Sequence, residues 1–400
     1  MKRVYVDNCS SSFPKAPGVS EVIRDFIDNS GCNVNRGGYG ASYDVGMEIL
    51  EARQLIADMF HTSNPQEVIF TPSVTYSLNM LLTGFLKSGD HVITTSMEHN
   101  SVMRPLHALS KIGVAYDIAQ CDTEGNLRAN SIISLIRNET KAVVMLHASN
   151  VCGRIMPIYE IAEICRERGI RFIVDAAQTA GALDINASMI DALAFTGHKG
   201  LLSVQGIGGF VIKKEFADEI TPLIVGGTGS RSHEFEQPDM LPDKFESGTM
   251  NIPAILGLKK SVEYINSVGV SAIYKKEMSL TTAFLSEVSG IDTVRVIGSG
   301  DISGTGLRLG CSNSEASGVA VVSLDFTGND NAAIAAALDE DFGIMTRCGL
   351  HCAPNAHKTL GTYPQGTMRF SFGYFNTKDD VEYVVQSIKK ILKGRVSYGL

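Results

Sequence analysis

Between residues 67 and 212, short apolar runs alternate with amphipathic stretches, and this alternation leaves few architectures open. The runs Glu67–Thr71, His91–Thr95, Val114–Ile118, Ala142–His147, Arg171–Asp175, Asp191–Phe195 and Phe210–Ile212 predict strands. Helices are predicted directly after Pro72 and over Arg104–Ile112, Ala129–Arg137 and Ile158–Arg168, with a longer one over Asp44–Met59. Strands that alternate with helices of about ten residues give an α/β fold built on a mainly parallel sheet. Ligands of such sheets sit at the carboxyl ends of the strands. Polar residues gather at those ends: Glu98-His99-Asn100, Ser149-Asn150, Asp175, Gln178 and Lys199.

Lys199 closes an apolar run as Thr196-Gly197-His198-Lys199-Gly200. Taken alone, a strand-end lysine is usually a surface residue with a buried stem. Buried, its amine loses affinity for the proton and becomes a nucleophile able to form a Schiff base. Asp175 ends the neighbouring apolar run, Arg171-Phe172-Ile173-Val174-Asp175. An acid and an amine at adjacent strand ends are what pyridoxal 5′-phosphate (PLP) requires. The acid keeps the pyridine nitrogen protonated and the amine holds the aldehyde. In Thr71-Pro72-Ser73-Val74-Thr75, small hydroxylic residues join a strand to a helix. The free N–H groups there suit a phosphate, although an ordinary N-cap uses the same residue types.

The remaining chain adds a strand at Arg3–Asp7 and a helix from Val19 to Ile27. Gly31–Gly40 is a glycine-rich loop carrying Asn33, Arg36 and Tyr39, either a plain entrance loop or a gate over the substrate. The cluster Gly206-Ile207-Gly208-Gly209 lacks the spacing of a dinucleotide fingerprint. Residues 225–246 read as a long loop, followed by helices at Ile252–Val268 and Ser271–Val288. A smaller α+β domain then has expected strands at Thr293–Ile297, Leu307–Gly310, Val319–Leu324 and Met368–Ser371, and helices at Ala332–Glu340 and Lys378–Lys393. The expected division is an N-terminal segment, 1–18, packing on the small domain, a large domain, 19–262, and a small C-terminal domain, 263–400.

A net charge of −8 argues against nucleic-acid or anionic-membrane partners. No apolar run is long enough to span a membrane, and Met1–Asp7 lacks a signal peptide's apolar core, so the expected location is the cytoplasm. The eight cysteines are scattered, as expected of reduced thiols. Two of them lie in Arg347-Cys348-Gly349-Leu350-His351-Cys352-Ala353-Pro354, with His357 nearby. Spacing alone leaves a metal site, a buried structural thiol and a reactive thiol open, and zinc patterns match only loosely. No metal is expected.

Four motifs occur together: D-A-A-Q from Asp175, G-H-K from Gly197, F-E-S-G-T from Phe245 and R-x-G-x-H-C-A from Arg347. With Val4–Asn8 and Phe375-Asn376-Thr377 near the ends, they cover essentially the whole chain. The sequence resembles the cysteine desulfurase and selenocysteine lyase family of class V, fold-type I PLP enzymes. The short H-C-A-P loop is similar to that of the SufS-like subgroup.

The resemblance implies that Lys199 is the Schiff-base lysine, Asp175 the pyridinium partner and Gln178 the partner of the phenolic oxygen. It implies that His99 stacks on the ring. Thr75, Thr196 and His198 would bind the phosphate beside Val74, with Thr249 reaching it from a second subunit of a homodimer. Asn150 and Arg369 would take the substrate carboxylate, with Arg347 and Asn33 as further substrate contacts. Cys352 would accept sulfur from L-cysteine and pass it to an acceptor protein. His99 could also move protons. Val74 stands where the family often has a hydroxyl, Thr196 where it usually has serine, and Leu350 where histidine is frequent. L-selenocysteine as substrate, a class V aminotransferase, epimerase or C–S lyase with the same cofactor residues, and a non-catalytic scaffold are the alternatives.

Overall fold

A computed structural model of the chain describes residues 2–34, 38–298 and 318–396. It begins with β1 (Val4–Tyr5), α1 (Val19–Asp25), α2 (Gly40–Met59), β2 (Val68–Thr71) and α3 (Val74–Phe85). Strictly alternating elements follow: β3 (His91–Thr95), α4 (Asn100–Ser110), β4 (Ala115–Ala119), α5 (Ala129–Ile133), β5 (Thr140–Leu146), α6 (Ile158–Arg168) and β6 (Arg171–Asp175). Next come β7 (Ala192–Thr196), β8 (Gly208–Ile212), α7 (Lys214–Glu219), α8 (Ile252–Val268) and α9 (Val270–Val288). The last part contains β9 (Val294–Ile297), β10 (Val322–Phe326), α10 (Asn331–Phe342), β11 (Ile344–Met345), β12 (Arg347–Gly349), α11 (Pro354–Thr359), β13 (Thr367–Phe370) and α12 (Lys378–Val396).

Seven strands form one sheet in the order β2-β8-β7-β6-β5-β3-β4. All are parallel except β8, which pairs antiparallel with both β2 and β7. Residues on both sheet faces are buried along β3, β7 and β8, because helices cover each side. That double burial is why these strands read as continuous apolar runs without polar alternation. A second, antiparallel sheet has the order β12-β13-β10-β9. Its core joins Phe284 of α9 to Phe370 and Phe372, with ring centroids 4.9 and 5.2 Å apart. β1 pairs in parallel with β11, so the first strand is built into the C-terminal part.

Several boundaries differ from expectation for local reasons. α4 starts at Asn100, earlier than Arg104, because His99 caps it by accepting the Ser101 N–H at Nδ1. α5 ends at Ile133, and Leu135 and Ile136 close it as single turns. α1 continues as one wider π-helical turn over Phe26–Ser30. The third strand of the second sheet is shifted to Val322–Phe326. The strand expected at Leu307–Gly310 lies outside the described residues. β11, β12, α7 and α11 had no separate signal in the sequence.

One buried ion pair fastens the F-E-S-G-T segment to the sheet. Arg53 of α2 reaches Glu246 through Nη1–Oε1 at 2.8 Å and Nη2–Oε2 at 2.5 Å, and it also donates to the Val68 carbonyl. Glu246 Oε1 accepts the Phe70 N–H at 2.7 Å. Removing one partner of such a pair leaves an uncompensated buried charge, at a cost of about 3–5 kcal/mol. Urea unfolding of Glu246→Ala should show a loss of that size. Glu246→Gln, which keeps an acceptor for Phe70, should lose less.

Candidate active site

The parallel register Ile173↔Ala192, Val174↔Leu193, Asp175↔Ala194 brings the ends of β6 and β7 side by side. Asp175 is buried, its Oδ1 accepting the Ala177 N–H at 2.9 Å and its Oδ2 the Ser101 hydroxyl at 3.3 Å. Burial raises its pKa, while the Ala177 N–H and the Lys199 charge work the other way. Lys199 follows β7 by three residues. Burial pushes the pKa of its amine down; the Arg369 and Arg347 charges add to this, against Cys9 and Asp175. The backbone before it is fixed by the N-terminal segment. The His198 carbonyl accepts the Ser12 N–H at 2.8 Å and Lys15 Nζ at 3.3 Å.

His99 stands at the start of α4 with its Nδ1 accepting the Ser101 N–H at 3.0 Å. Burial, then the charges of Lys199 and Arg347, lowers its pKa to about 4, so the ring is neutral with its proton on Nε2. Ser101 thus links the two, its N–H donating to His99 and its hydroxyl to Asp175. Glu98 is fully buried and accepts the Leu146 N–H at both oxygens, 3.1 and 3.0 Å away. Burial pushes its pKa up to about 8.

The start of α3 approaches the end of β7 closely because Gly208 has no side chain. A Cβ there would lie 2.7 Å from the Phe195 carbonyl and 3.1 Å from Ser73 Cα. Ser73 caps α3, Val74 is buried and Thr75 is exposed. Thr196 Oγ1, His198 Nδ1 and Ser203 Oγ are buried without a hydrogen-bond partner. Buried polar atoms normally find partners. Unpaired ones beside a helix N-terminus fit the phosphate of a bound cofactor.

Arg369, whose charge acts on Lys199, sits on β13 with 1% of its surface exposed. Its Nη1 donates to the Asn150 carbonyl at 3.0 Å, and Nη2 donates to Asp7 Oδ1 at 2.8 Å and Ser10 Oγ at 2.7 Å. Its Nε has no partner, nor has Asn150 Oδ1. Arg347, opposite Arg369 in register, donates through Nη2 to Cys352 Sγ at 3.6 Å. Cys352 is exposed. Both His351 and Cys352 have positive φ, 49° and 57°, a conformation costing about 1–2 kcal/mol per non-glycine residue. The loop is held there by Asn150 Nδ2 on the His351 carbonyl and the Asn100 N–H on the Cys352 carbonyl, both 2.8 Å. Cys348 lies on β12, half-buried, and burial raises its pKa.

The described structure therefore gathers Asp175 with His99, and Asn150 with Arg369, Arg347 and Cys352, through direct or one-residue links, and Lys199 feels the charges of Asp175, Arg369 and Arg347. Gln178 joins them through Cys9, whose carbonyl accepts Gln178 Nε2 at 3.2 Å. Within one chain, Asn33 and Thr249 lie elsewhere. Asn33 lines a cavity of about 190 Å³ with Arg53 and Glu246. Thr249 lines one of about 430 Å³ with Tyr76 and Gly206. Asp7, Cys9, Ser10 and Ser101 were not anticipated; the polar run Asp7–Ser12 directly after an apolar strand is the available signal for the first three. Among the described residues, no three His, Cys, Asp or Glu side chains group as metal ligands would.

The family model described as aminotransferase class-V matches residues 4–384. The chain belongs to the class V aminotransferase family. This class V chain is 31% identical over 401 residues to a probable cysteine desulfurase of Pyrococcus abyssi, covering 98% of this chain and 94% of that one. It is 29% identical over 395 residues to a probable cysteine desulfurase of Methanothermobacter thermautotrophicus, with 97% and 94% covered. Its structure matches the apo structure of a cysteine desulfurase from Thermococcus onnurineus NA1 with a TM-score of 0.86 and 31% identity, over 98% of this chain and 95% of that chain. The fold is that of the fold-type I enzymes.

Histidines dominate the acid behaviour expected of this class V chain. Burial lowers the pKa of His99, His147, His198 and His357 from 6.5 to about 4, and that of His351 to about 2. The unfolded chain then binds more protons than the folded one below about pH 6.5, so these groups remove stability as the pH falls from there towards 4. The Tm of the apo-protein should decline between about pH 7 and pH 5. A flat profile across that window would show that the imidazoles are solvated.

Proposed function

We propose that the chain is a PLP-dependent cysteine desulfurase, converting L-cysteine to L-alanine while Cys352 takes the sulfur as a persulfide. The carrying observation is the placement of Cys352. Its exposed thiol is joined through Arg347 and Ser10 to Arg369, the buried guanidinium whose Nε is unpaired. A carboxylate-sized anion at Arg369 and Asn150 would leave the substrate's side chain on the Cys352 side.

When bound, PLP supplies the electron sink for the negative charge that develops at the substrate's Cα. Lys199 would hold it, with Asp175 at the pyridine nitrogen, Gln178 at the phenolic oxygen and His99 against the ring. Thr196, His198, Thr75 and the Val74 N–H would bind the phosphate. Val74 offers no hydroxyl, so more of that task falls on the backbone and on Thr196. The depressed basicity of Lys199 leaves its Nζ free to accept the proton from Cα. Arg369 and Asn150 orient the substrate carboxylate. The Cys352 sulfur attacks the substrate sulfur: the S–S bond forms, the Cβ–S bond breaks with its electron pair left on carbon, and Cβ takes up the proton that the thiol gives up to become the methyl group of alanine. His99 would carry a proton at this step. The persulfide is then open to an acceptor protein, because Cys352 faces solvent.

The same reading makes the protein a homodimer in which Thr249 completes the partner's phosphate site. In support, Thr249 is exposed, and Tyr43, Met47 and Leu50 form an apolar stripe on α2 with exposures of 67, 57 and 44%. A fully active monomer would contradict it. For the division at residues 18 and 262, β1 lying beside β11 supports the first boundary; the second falls within α8, which is continuous over Ile252–Val268 and packs on α1 and α2. A cytoplasmic location is supported by the free thiols among the described residues; no described helix is long and apolar enough to cross a membrane.

The deciding experiment measures alanine from L-cysteine and from L-selenocysteine. Cys352→Ala should bind PLP normally yet lose alanine formation from cysteine by about a hundredfold or more. Cys348→Ser should stay within about threefold of the parent, since its thiol is half-buried and its backbone pairs with Met368 of β13. Undiminished turnover by Cys352→Ala, or pyruvate as product, would favour a C–S lyase.

A further inference from the structure

Ser10 stands where the two guanidiniums of the site meet. A serine hydroxyl has one hydrogen to donate and two lone pairs to accept with. All three are in use: Asp7 Oδ1 is 2.9 Å away, Arg369 Nη2 2.7 Å and Arg347 Nη1 3.1 Å. A guanidinium only donates and a carboxylate only accepts. The hydroxyl hydrogen therefore points to Asp7, and the orientation of the group is fixed. The backbone fixes its position too, through the Ser10 N–H on the Asp7 carbonyl at 3.0 Å. Both arginines are also engaged beyond Ser10. Arg369 holds Asp7 Oδ1 and the Asn150 carbonyl, and Arg347 Nη2 points at Cys352 Sγ. Without the Ser10 acceptor, Asp7 still partners the charge of Arg369, but the Arg347 guanidinium faces that like charge with no acceptor between them and loses its only described side-chain hydrogen bond besides the thiol.

We propose that Ser10 is a positioning residue: its hydroxyl ties the arginine that takes the substrate carboxylate to the arginine that faces Cys352, and so holds Arg347 against the sulfur. The kinetic consequence rests on the desulfurase function proposed above; the geometric one does not. Ser10→Ala removes both acceptor lone pairs. Ser10→Thr keeps them and adds a methyl group.

The test uses the holoenzyme of both variants and two readouts. In the first, cysteine kinetics, Ser10→Ala should raise KM about tenfold, the effect of losing a hydrogen bond to a charged group, with a smaller change in kcat. Ser10→Thr should stay within about threefold of the parent. The second readout is the rate of Cys352 alkylation by iodoacetate relative to iodoacetamide, with the site confirmed by peptide mass spectrometry. The two reagents are of similar size, so their ratio reports a cation held at the sulfur. Ser10→Ala should lower the ratio several-fold, and Ser10→Thr should restore it. A Ser10→Ala enzyme with parental KM and an unchanged ratio would overturn the proposal. Equal impairment of both variants would also overturn it, by showing that only packing is at stake. If the parent enzyme releases no alanine from cysteine, the desulfurase function fails by itself, and the alkylation ratio still decides the role of Ser10.

Discussion

Everything at the site depends on an amine removed from water beside a carboxylate. Lys199 and Asp175 come from neighbouring parallel strands, and the register of β6 with β7 sets their separation. Burial acts on the two groups in opposite senses, lowering the affinity of Lys199 for its proton and raising that of Asp175. Each group's charge works against that shift in the other. A lysine at the same position in water would stay protonated and inert as a nucleophile. The surrounding helices therefore contribute chemistry as well as stability: by covering both faces of the sheet they keep this end of it dry.

The second requirement of the proposed desulfurase is that the Cys352 thiol be held at the same site from the other part of the chain. The N-terminal segment makes that connection. Asp7 and Ser10 bind Arg369, more than three hundred residues away in sequence, while Ser12 and Lys15 fix the carbonyl that precedes Lys199. His351 and Cys352 occupy left-handed backbone conformations that their side chains disfavour. Such strain persists only where neighbouring contacts determine the geometry. Here the contacts come from Asn150 and Asn100, and Asn150 is itself a proposed substrate ligand. Substrate binding and thiol placement share that side chain.

Much of the fold was legible because double burial writes itself into composition. Strands such as His91–Thr95 and Arg171–Asp175 could be placed to the residue from their apolar runs. The reversal of β8 could not, since a strand's direction leaves no local trace. The start of α4 was hidden because histidine is an unusual cap. Lys199 and Asp175 were readable as strand-end residues, and the shared motifs supplied roles for Asn150, Arg369 and Cys352. Ser10 and Ser101 were not readable. Their importance arises from hydrogen bonds made across the fold, and a serine in a polar run looks like any other turn residue.

The central claim, that Lys199 is the desolvated amine on which the chemistry turns, is open to one direct measurement. Holoenzyme treated with borohydride and digested should carry a pyridoxyl group on the Lys199 peptide and on no other, and Lys199→Ala should carry none. A label on Lys15, which also lies beside His198 and whose pKa burial lowers to about 8, or no label on any lysine, would contradict the account.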